Sequence, residues 1–161
     1  MNMTTRLPDQ GRIAGIDFGT VRIGVAICDP GQQFASPLEV YTRRNIRLDE
    51  KYFVELAEQE RLAGFVVGLP IHPSGDESEK SGEARQFAQW LQEKTGVRVV
   101  MFDERFTTAQ AREHLNASQM SGKKRKDRLD KIAAQILLAT YLESPGNAVH
   151  WKVESGDALE D

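Results

Sequence analysis

Three acidic residues stand where an acid is unexpected, and their side chains could hold divalent cations. Asp17 interrupts an apolar strand pattern, Glu104 ends another, and Asp130 lies on the apolar face of the last long predicted helix. Removing a carboxylate from water costs free energy unless it is paired or binds a cation. Because Mg²⁺ and Mn²⁺ prefer carboxylate oxygens, the three acids suggest a two-ion site for phosphoryl chemistry.

Each acid also has a purely structural interpretation. Asp17 could form a turn by accepting bonds from the backbone that follows it. Asp103 and Glu104 could be charges at a strand end with Arg105 as partner, and alternation allows only one of them to face the surface of Asp17. Asp130 could be an acid in the first turn of its helix, where the helix dipole favours a negative charge.

The composition is that of one globular domain. The chain has 161 residues, 40% apolar and 28% charged, and its single cysteine excludes a disulfide framework. We expect one domain over residues 1–143 and a flexible acidic tail over 144–161. No apolar stretch has the length of a membrane span, so we expect a cytoplasmic protein without membrane partners.

Positive charge is concentrated locally, although the net charge is −3. One basic run precedes Asp130, and Arg43, Arg44 and Arg47 form a second cluster. The first run is either a solvated loop or an arm that contacts a phosphate backbone. Its candidate nucleic-acid-binding residues are Lys123, Lys124, Arg125, Lys126 and Arg128.

Hydrophobic periodicity predicts five strands and four helices. The strands are 12–17, 21–28, 34–41 at a sheet edge, 65–69 and 97–102. The helices are 46–62 closed by Gly64, 78–95 closed by Gly96, a short one opening at 107–110, and 128–143 after a basic loop at 117–127. The order β-β-β-α-β-α-β-α-α predicts an α/β protein with a mixed five-stranded sheet and flanking helices, the connectivity of the RNase H-like fold.

Four ordered motifs resemble the YqgF/RuvX family of RNase H-like proteins. They are Ile16-Asp17-Phe18-Gly19-Thr20-Val21-Arg22-Ile23-Gly24-Val25-Ala26, Val67-Gly68-Leu69-Pro70, Asp103-Glu104-Arg105-Phe106-Thr107-Thr108 and Asp130-Lys131-Ile132-Ala133-Ala134. The similarity spans about residues 12–143.

The resemblance implies a nuclease that matures the 5′ end of the small-subunit (16S) ribosomal RNA precursor, or a Holliday junction resolvase. It implies that Asp17, Glu104 and Asp130 are the catalytic and metal-binding acids, with Arg22 and Arg105 as phosphate contacts. One departure is that Leu69-Pro70, and not an acid, ends the fourth strand. Expected partners are structured RNA or branched DNA and pre-ribosomal particles, and the protein could be a monomer or a homodimer.

Two other functions are compatible with these residues. The Asp17-Phe18-Gly19-Thr20 segment also resembles the phosphate hairpin of actin-like and sugar-kinase-like ATPases, although those proteins clamp ATP between two such domains. A non-catalytic nucleic-acid or ribosome-assembly binding protein would need the basic residues but no metal.

Overall fold

The computed structural model describes residues 6–107 and 122–153, without the side chains of 122–127. The strands are β1 (Arg12–Asp17), β2 (Arg22–Cys28), β3 (Ala35–Thr42), β4 (Leu62–Leu69), β5 (Val99–Asp103) and β6 (Ala148–Val149). The helices are α1 (Ile46–Gln59), α2 (Glu79–Thr95) and α3 (Gly122–Glu143), with 3₁₀ turns at Glu104–Phe106 and Pro145–Asn147.

The six strands form one mixed sheet in the order β3-β2-β1-β4-β5-β6. The first three strands form an antiparallel meander, whereas β1, β4 and β5 run parallel. The carboxyl ends of these three parallel strands therefore lie at one edge of the sheet, which we call the acidic edge. Asp17 ends β1 there, and Glu104 directly follows β5.

Each face of the sheet has its own apolar core. Alternate residues of the strands pack against α1 and α2 on one face, where Ile16, Phe53 and Phe87 are buried. The other residues pack against α3, where Ile13, Phe102 and Leu138 are buried. Because side chains alternate along a strand, an acid at a strand end points to the same face of the sheet as the residue two positions before it.

Helix α3 lies unusually close to the centre of the sheet because β1 and β2 carry glycine where it crosses them. A Cβ placed on Gly15 would stand 2.8 Å from Cβ of Leu138 and 2.9 Å from the backbone oxygen of Ala134. Close backbone approach of this kind requires glycine. The α3 face is consequently the face on which a helical side chain can reach the end of β1.

The predicted fold is confirmed, and the predicted strands all form. The sheet contains one strand more than predicted, because the two-residue β6 pairs with β5 through Met101 and Phe102. This strand belongs to the segment predicted as a tail, whose acidic residues 154–161 lie outside the described residues. The domain boundary at residue 143 stays a prediction.

The predicted end of the first helix and the predicted start of the fourth strand were wrong. Helix α1 ends at Gln59, and Gly64, predicted to close it, lies inside β4, where a Cβ would clash with Leu7. Strand β4 starts earlier than its apolar run because its partner β1 extends to Arg12. By contrast, Gly96 ends α2 with φ of 73°, as predicted.

The last helix begins earlier than predicted. Residues 122–127 belong to α3 and not to a loop, so Asp130 lies more than two turns inside the helix. The helix dipole therefore does not explain an acid at this position, since its effect is confined to the first turn. The short helix predicted from residue 107 falls on 108–121, outside the described residues. Across the described part of the chain, no helix is both long and apolar enough to cross a membrane.

Candidate nuclease site

Asp17 lies between two glycines at the acidic edge. In the antiparallel register it is paired with Gly24 of β2, and the parallel pairing of Ile16 with Val67 brings Gly68 of β4 alongside it. Asp17 is two residues beyond Gly15, so its side chain projects toward the α3 face. The two glycines leave space on both sides of the Asp17 carboxylate.

The space over Gly24 is occupied by the backbone of Asp130. A Cβ on Gly24 would overlap the carbonyl oxygen of Asp130 and would stand 2.8 Å from its carbonyl carbon. The Asp130 carboxylate accepts a hydrogen bond of 3.0 Å from Nε of Arg22, and both side chains are about 30% exposed, at 29% and 32%. Asp130 therefore reaches the strand next to Asp17 and is held by the first residue of β2.

The space over Gly68 is occupied by Glu104. A Cβ on Gly68 would stand 3.3 Å from Cγ and 3.4 Å from Cδ of Glu104, and 3.5 Å from Cδ2 of Leu137 in α3. Strand β4 ends at Leu69, before Pro70, and not in an acid, but Glu104 lies over the end of this strand. An acid reaches the end of the fourth strand, but it comes from the residue after the fifth.

Asp103 faces the other side of the sheet and is buried. It accepts bonds from Arg105 through the backbone N–H at 2.8 Å, Nε at 2.9 Å and Nη2 at 2.6 Å. This ion pair raises the pKa of the Arg105 guanidinium through its hydrogen bond to Asp103. Of the two adjacent acids, Glu104 is therefore the one that lies on the face of Asp17.

The three predicted acids thus converge on the α3 face of the acidic edge. Among the described residues, however, no three His, Cys, Asp or Glu side chains are grouped so that they could hold a metal ion. Asp130 is engaged by Arg22, and Asp17 and Glu104 also have interactions of their own. Shared cation binding would require these side chains to rearrange, with Arg22 releasing Asp130.

The predicted basic run lies at the start of α3. Asp130 contacts β2 near the acidic edge, and each helical residue advances about 1.5 Å. The backbone of 122–129 therefore extends about 12 Å beyond that contact. Arg128 is exposed, whereas the side chains of Lys123, Lys124, Arg125 and Lys126 lie outside the described residues.

Sequence reasoning missed the residues that order the neighbouring connection between β3 and α1. Asp49 is only 2% exposed and accepts hydrogen bonds from Tyr41 Oη at 2.6 Å, Arg43 Nε at 3.2 Å and the Arg44 backbone N–H at 3.0 Å. The Arg43 guanidinium lies 5.3 Å from the centre of the Phe18 ring. The available signal was an acid in the first turn of α1, five residues after the Arg43-Arg44 pair.

Solved structures share this fold. The chain is similar to Thermus thermophilus RuvC in complex with a Holliday junction substrate, with a TM-score of 0.53 and 18% identity over 86% of this chain and 98% of that one. It is also similar to the Fowlpox virus resolvase in its complex with Holliday junction DNA, with a TM-score of 0.51 and 14% identity over 83% and 98% of the two chains. At these identities the likeness concerns the fold.

Sequence relatives cover nearly the whole chain. A Rhodopirellula baltica protein is 50% identical over 96% of this chain and 87% of its own length, and a Koribacter versatilis protein is 41% identical over 84% and 89%. Both carry the name "Putative pre-16S rRNA nuclease". The family model described as "RuvX: Holliday junction resolvase" matches residues 11–144. The chain belongs to the RuvX family.

Proposed function

We propose that this protein is a metal-dependent endonuclease that cleaves a phosphodiester bond of structured nucleic acid, with the 5′ end of pre-16S rRNA as its main substrate. The observation that carries the proposal is the placement of three acids, from three separate chain segments, on one face of one sheet edge, around the two glycines that flank Asp17, Gly24 and Gly68. The names of the two relatives with 50% and 41% identity support the choice of RNA.

The acids are the proposed ligands of the metal. Asp17, Glu104 and Asp130 provide carboxylate oxygens, which suit Mg²⁺ or Mn²⁺, and we propose two ions. Bound cations would activate the attacking water and stabilise the leaving oxygen. The rearrangement that frees Asp130 for a cation would also free Arg22. Arg22 would then bind Asp130 in the absence of substrate and a phosphate in its presence.

The basic start of α3 supports a nucleic-acid substrate. Cations in the first turns of a helix are disfavoured by the helix dipole and by mutual repulsion. Lys123, Lys124, Arg125 and Lys126 nevertheless occupy the first turns of α3. A nucleic-acid backbone bound there would offset both the unfavourable dipole interaction and the repulsion between the cations. We propose that these four residues, together with Arg128, Arg22 and Arg105, contact phosphates.

The test compares the wild type with Asp17→Asn on two labelled probes. One is an RNA that contains the 5′ precursor segment of 16S rRNA, and the other is a four-way DNA junction, each with Mg²⁺, Mn²⁺ or chelator at matched ionic strength. We expect the wild type to cut the RNA at a defined site only with metal. Asp17→Asn, purified identically, should bind the RNA but not cut it.

The outcomes separate the candidate functions. Cleavage of the junction in place of the RNA would support the resolvase function that the family model's description names. Cleavage that persists in Asp17→Asn or in chelator would contradict the proposed site. Binding without cleavage in every condition would favour a non-catalytic role in ribosome assembly.

A further inference from the structure

A second cationic surface lies beside the proposed site, on the connection between β3 and α1. The last residue of β3, Thr42, pairs with Arg22, and the backbone N–H of Arg43 donates to the Val21 carbonyl oxygen at 2.9 Å. The connection that carries Arg43 and Arg44 is therefore attached to Arg22, the first residue of β2, and to Val21 just before it. Arg22 in turn contacts Asp130, so this surface is continuous with the acidic edge.

The backbone of this connection is fixed by buried interactions. Asp49 accepts bonds from Arg43 and from the backbone of Arg44, and the side chain of Asn45 caps α1 by accepting from Leu48 N–H at 2.9 Å. Burial alone would raise the pKa of Asp49, but the bonds from Tyr41, Arg44 and Arg43 outweigh it and hold the pKa below its ordinary value. Asp49 thus stays charged at neutral pH.

The neighbouring arginines are arranged differently from Arg43. Arg43 is 24% exposed and is occupied by Asp49 and the Phe18 ring. Arg44 and Arg47 are exposed, and within the described ranges 6–107 and 122–153 neither side chain forms an ion pair. Other exposed cations of the same region are paired, as Lys51 is with Glu55 and Lys94 with Glu50.

Apolar side chains lie beside these arginines. Val21 is 64% exposed and Ile46 is 60% exposed, the first in the turn before β2 and the second at the start of α1. Nucleic-acid backbones present phosphates next to apolar sugar surfaces, and arginine binds phosphate with a planar pair of donors. The combination fits a nucleic-acid strand better than a purely ionic ligand.

We propose that Arg44 and Arg47, with Val21 and Ile46, form a second backbone-binding surface, which we call the arginine edge. It rests on the proposed nuclease function and specifies the path of the substrate. The Asp130 carbonyl lies over Gly24, two residues from Arg22, so the basic turns of α3 that precede Asp130 extend from the same end of β2 that carries this connection. The substrate then leaves the acids over β2 and β3, and not over β5.

The experiment measures binding of the two labelled probes by fluorescence anisotropy, with every protein in the uncleaving Asp17→Asn background. The double variant Arg44→Gln/Arg47→Gln is compared with Arg61→Gln/Arg98→Gln, which removes the same charge at the amino ends of β4 and β5. Thermal unfolding of both variants checks that the fold is intact.

We expect Arg44→Gln/Arg47→Gln to weaken binding about 10- to 50-fold near 0.1 M salt, and the matched control to change it less than about twofold. The slope of log affinity against log salt should become shallower by about 1.4 to 1.8, for two lost phosphate contacts. Equal effects of the two variants, or no effect of either, would overturn the arginine edge while leaving Asp17-dependent cleavage in place. If the parent binds neither probe, the proposed function and the arginine edge fail together.

Discussion

The backbone carbonyl of Asp130 lies directly against the α-carbon of Gly24, with no side chain between helix and strand. This contact determines how close α3 comes to the strand that pairs with Asp17. It also makes the position of one acid depend on the absence of a single methyl group at residue 24. Stability and cleavage should therefore respond together at this position.

Gly24→Ala should destabilise the fold and impair cleavage. The added Cβ overlaps the Asp130 carbonyl, which is backbone and cannot rotate away, so α3 must move. We expect the free energy of unfolding in urea to fall by about 1–3 kcal/mol. Cleavage, measured under conditions where the variant is fully folded, should fall at least about tenfold, because Asp130 moves away from Asp17.

Gly82→Ala is the matched control for Gly24→Ala. Gly82 lies in α2, where an added Cβ would have no neighbour within 4 Å. Alanine favours a helix over glycine, so this variant should gain about 0.5–1 kcal/mol and keep full cleavage. A Gly24→Ala protein as stable and active as Gly82→Ala would mean that α3 does not approach β2 this closely.

Asp103 and Glu104 should separate stability from activity. Asp103→Asn removes charge from a buried acceptor of three Arg105 donors and should lower the free energy of unfolding by about 1–2 kcal/mol. Glu104→Gln should leave the unfolding midpoint nearly unchanged and should abolish metal-dependent cleavage. The reverse pattern would assign the catalytic role to Asp103.

The sequence was sufficient for the first five strands of the sheet, because they are short apolar runs with clear breaks, but not for the two-residue β6. It was also sufficient to nominate Asp17 and Asp130, since both interrupt apolar patterns that fold into strand and helix. It could not decide between Asp103 and Glu104, because alternation alone does not say which face Phe102 occupies. That choice was made by tertiary packing, which buries Phe102 beneath α3.

Other errors have equally local causes. The polar run before Asp130 has no apolar periodicity, so the first turns of α3 were predicted as loop. Gly64 was mistaken for a helix end, whereas close packing against Leu7 accounts for it. Asp49 was not predicted as an organising residue, since its partners Tyr41 and Arg43 are brought to it by the turn out of β3.

Arg22→Gln should strengthen cation binding while weakening nucleic-acid binding. The Arg22–Asp130 pair is partly exposed, so its loss should cost the fold at most about 1 kcal/mol. Removing the guanidinium leaves the Asp130 carboxylate available to a cation. Isothermal titration with Mn²⁺, without nucleic acid, should show a lower dissociation constant for Arg22→Gln than for the wild type.

Arg22→Lys is the control for the proposal that Asp130 exchanges Arg22 for a cation. Arg22→Lys keeps the positive charge beside Asp130, so its Mn²⁺ affinity should stay near that of the wild type. Asp130→Asn should lose Mn²⁺ affinity whatever residue occupies position 22. Equal Mn²⁺ affinities of the wild type and Arg22→Gln would show that the arginine does not compete with the cation.

Asp49→Asn should destabilise the protein in a pH-dependent manner. Because the pKa of Asp49 in the folded protein is below its ordinary value, the carboxylate contributes stability above the unfolded-state pKa, near 4. That contribution is lost as the pH falls through the folded-state pKa. We expect the variant to be less stable by about 1–3 kcal/mol at pH 7, because Arg43 and Tyr41 lose a charged acceptor.

The difference between wild type and Asp49→Asn should then shrink as the pH is lowered below about 4, where the wild-type carboxylate takes up its proton. Urea unfolding at a series of pH values measures this convergence. Asp9→Asn is the control, since the Asp9 side chain is 82% exposed and its stability difference should stay near zero throughout. A gap for Asp49→Asn that is constant from pH 7 to pH 3 would mean that packing, and not the charge of Asp49, orders the turn that presents Arg44 and Arg47.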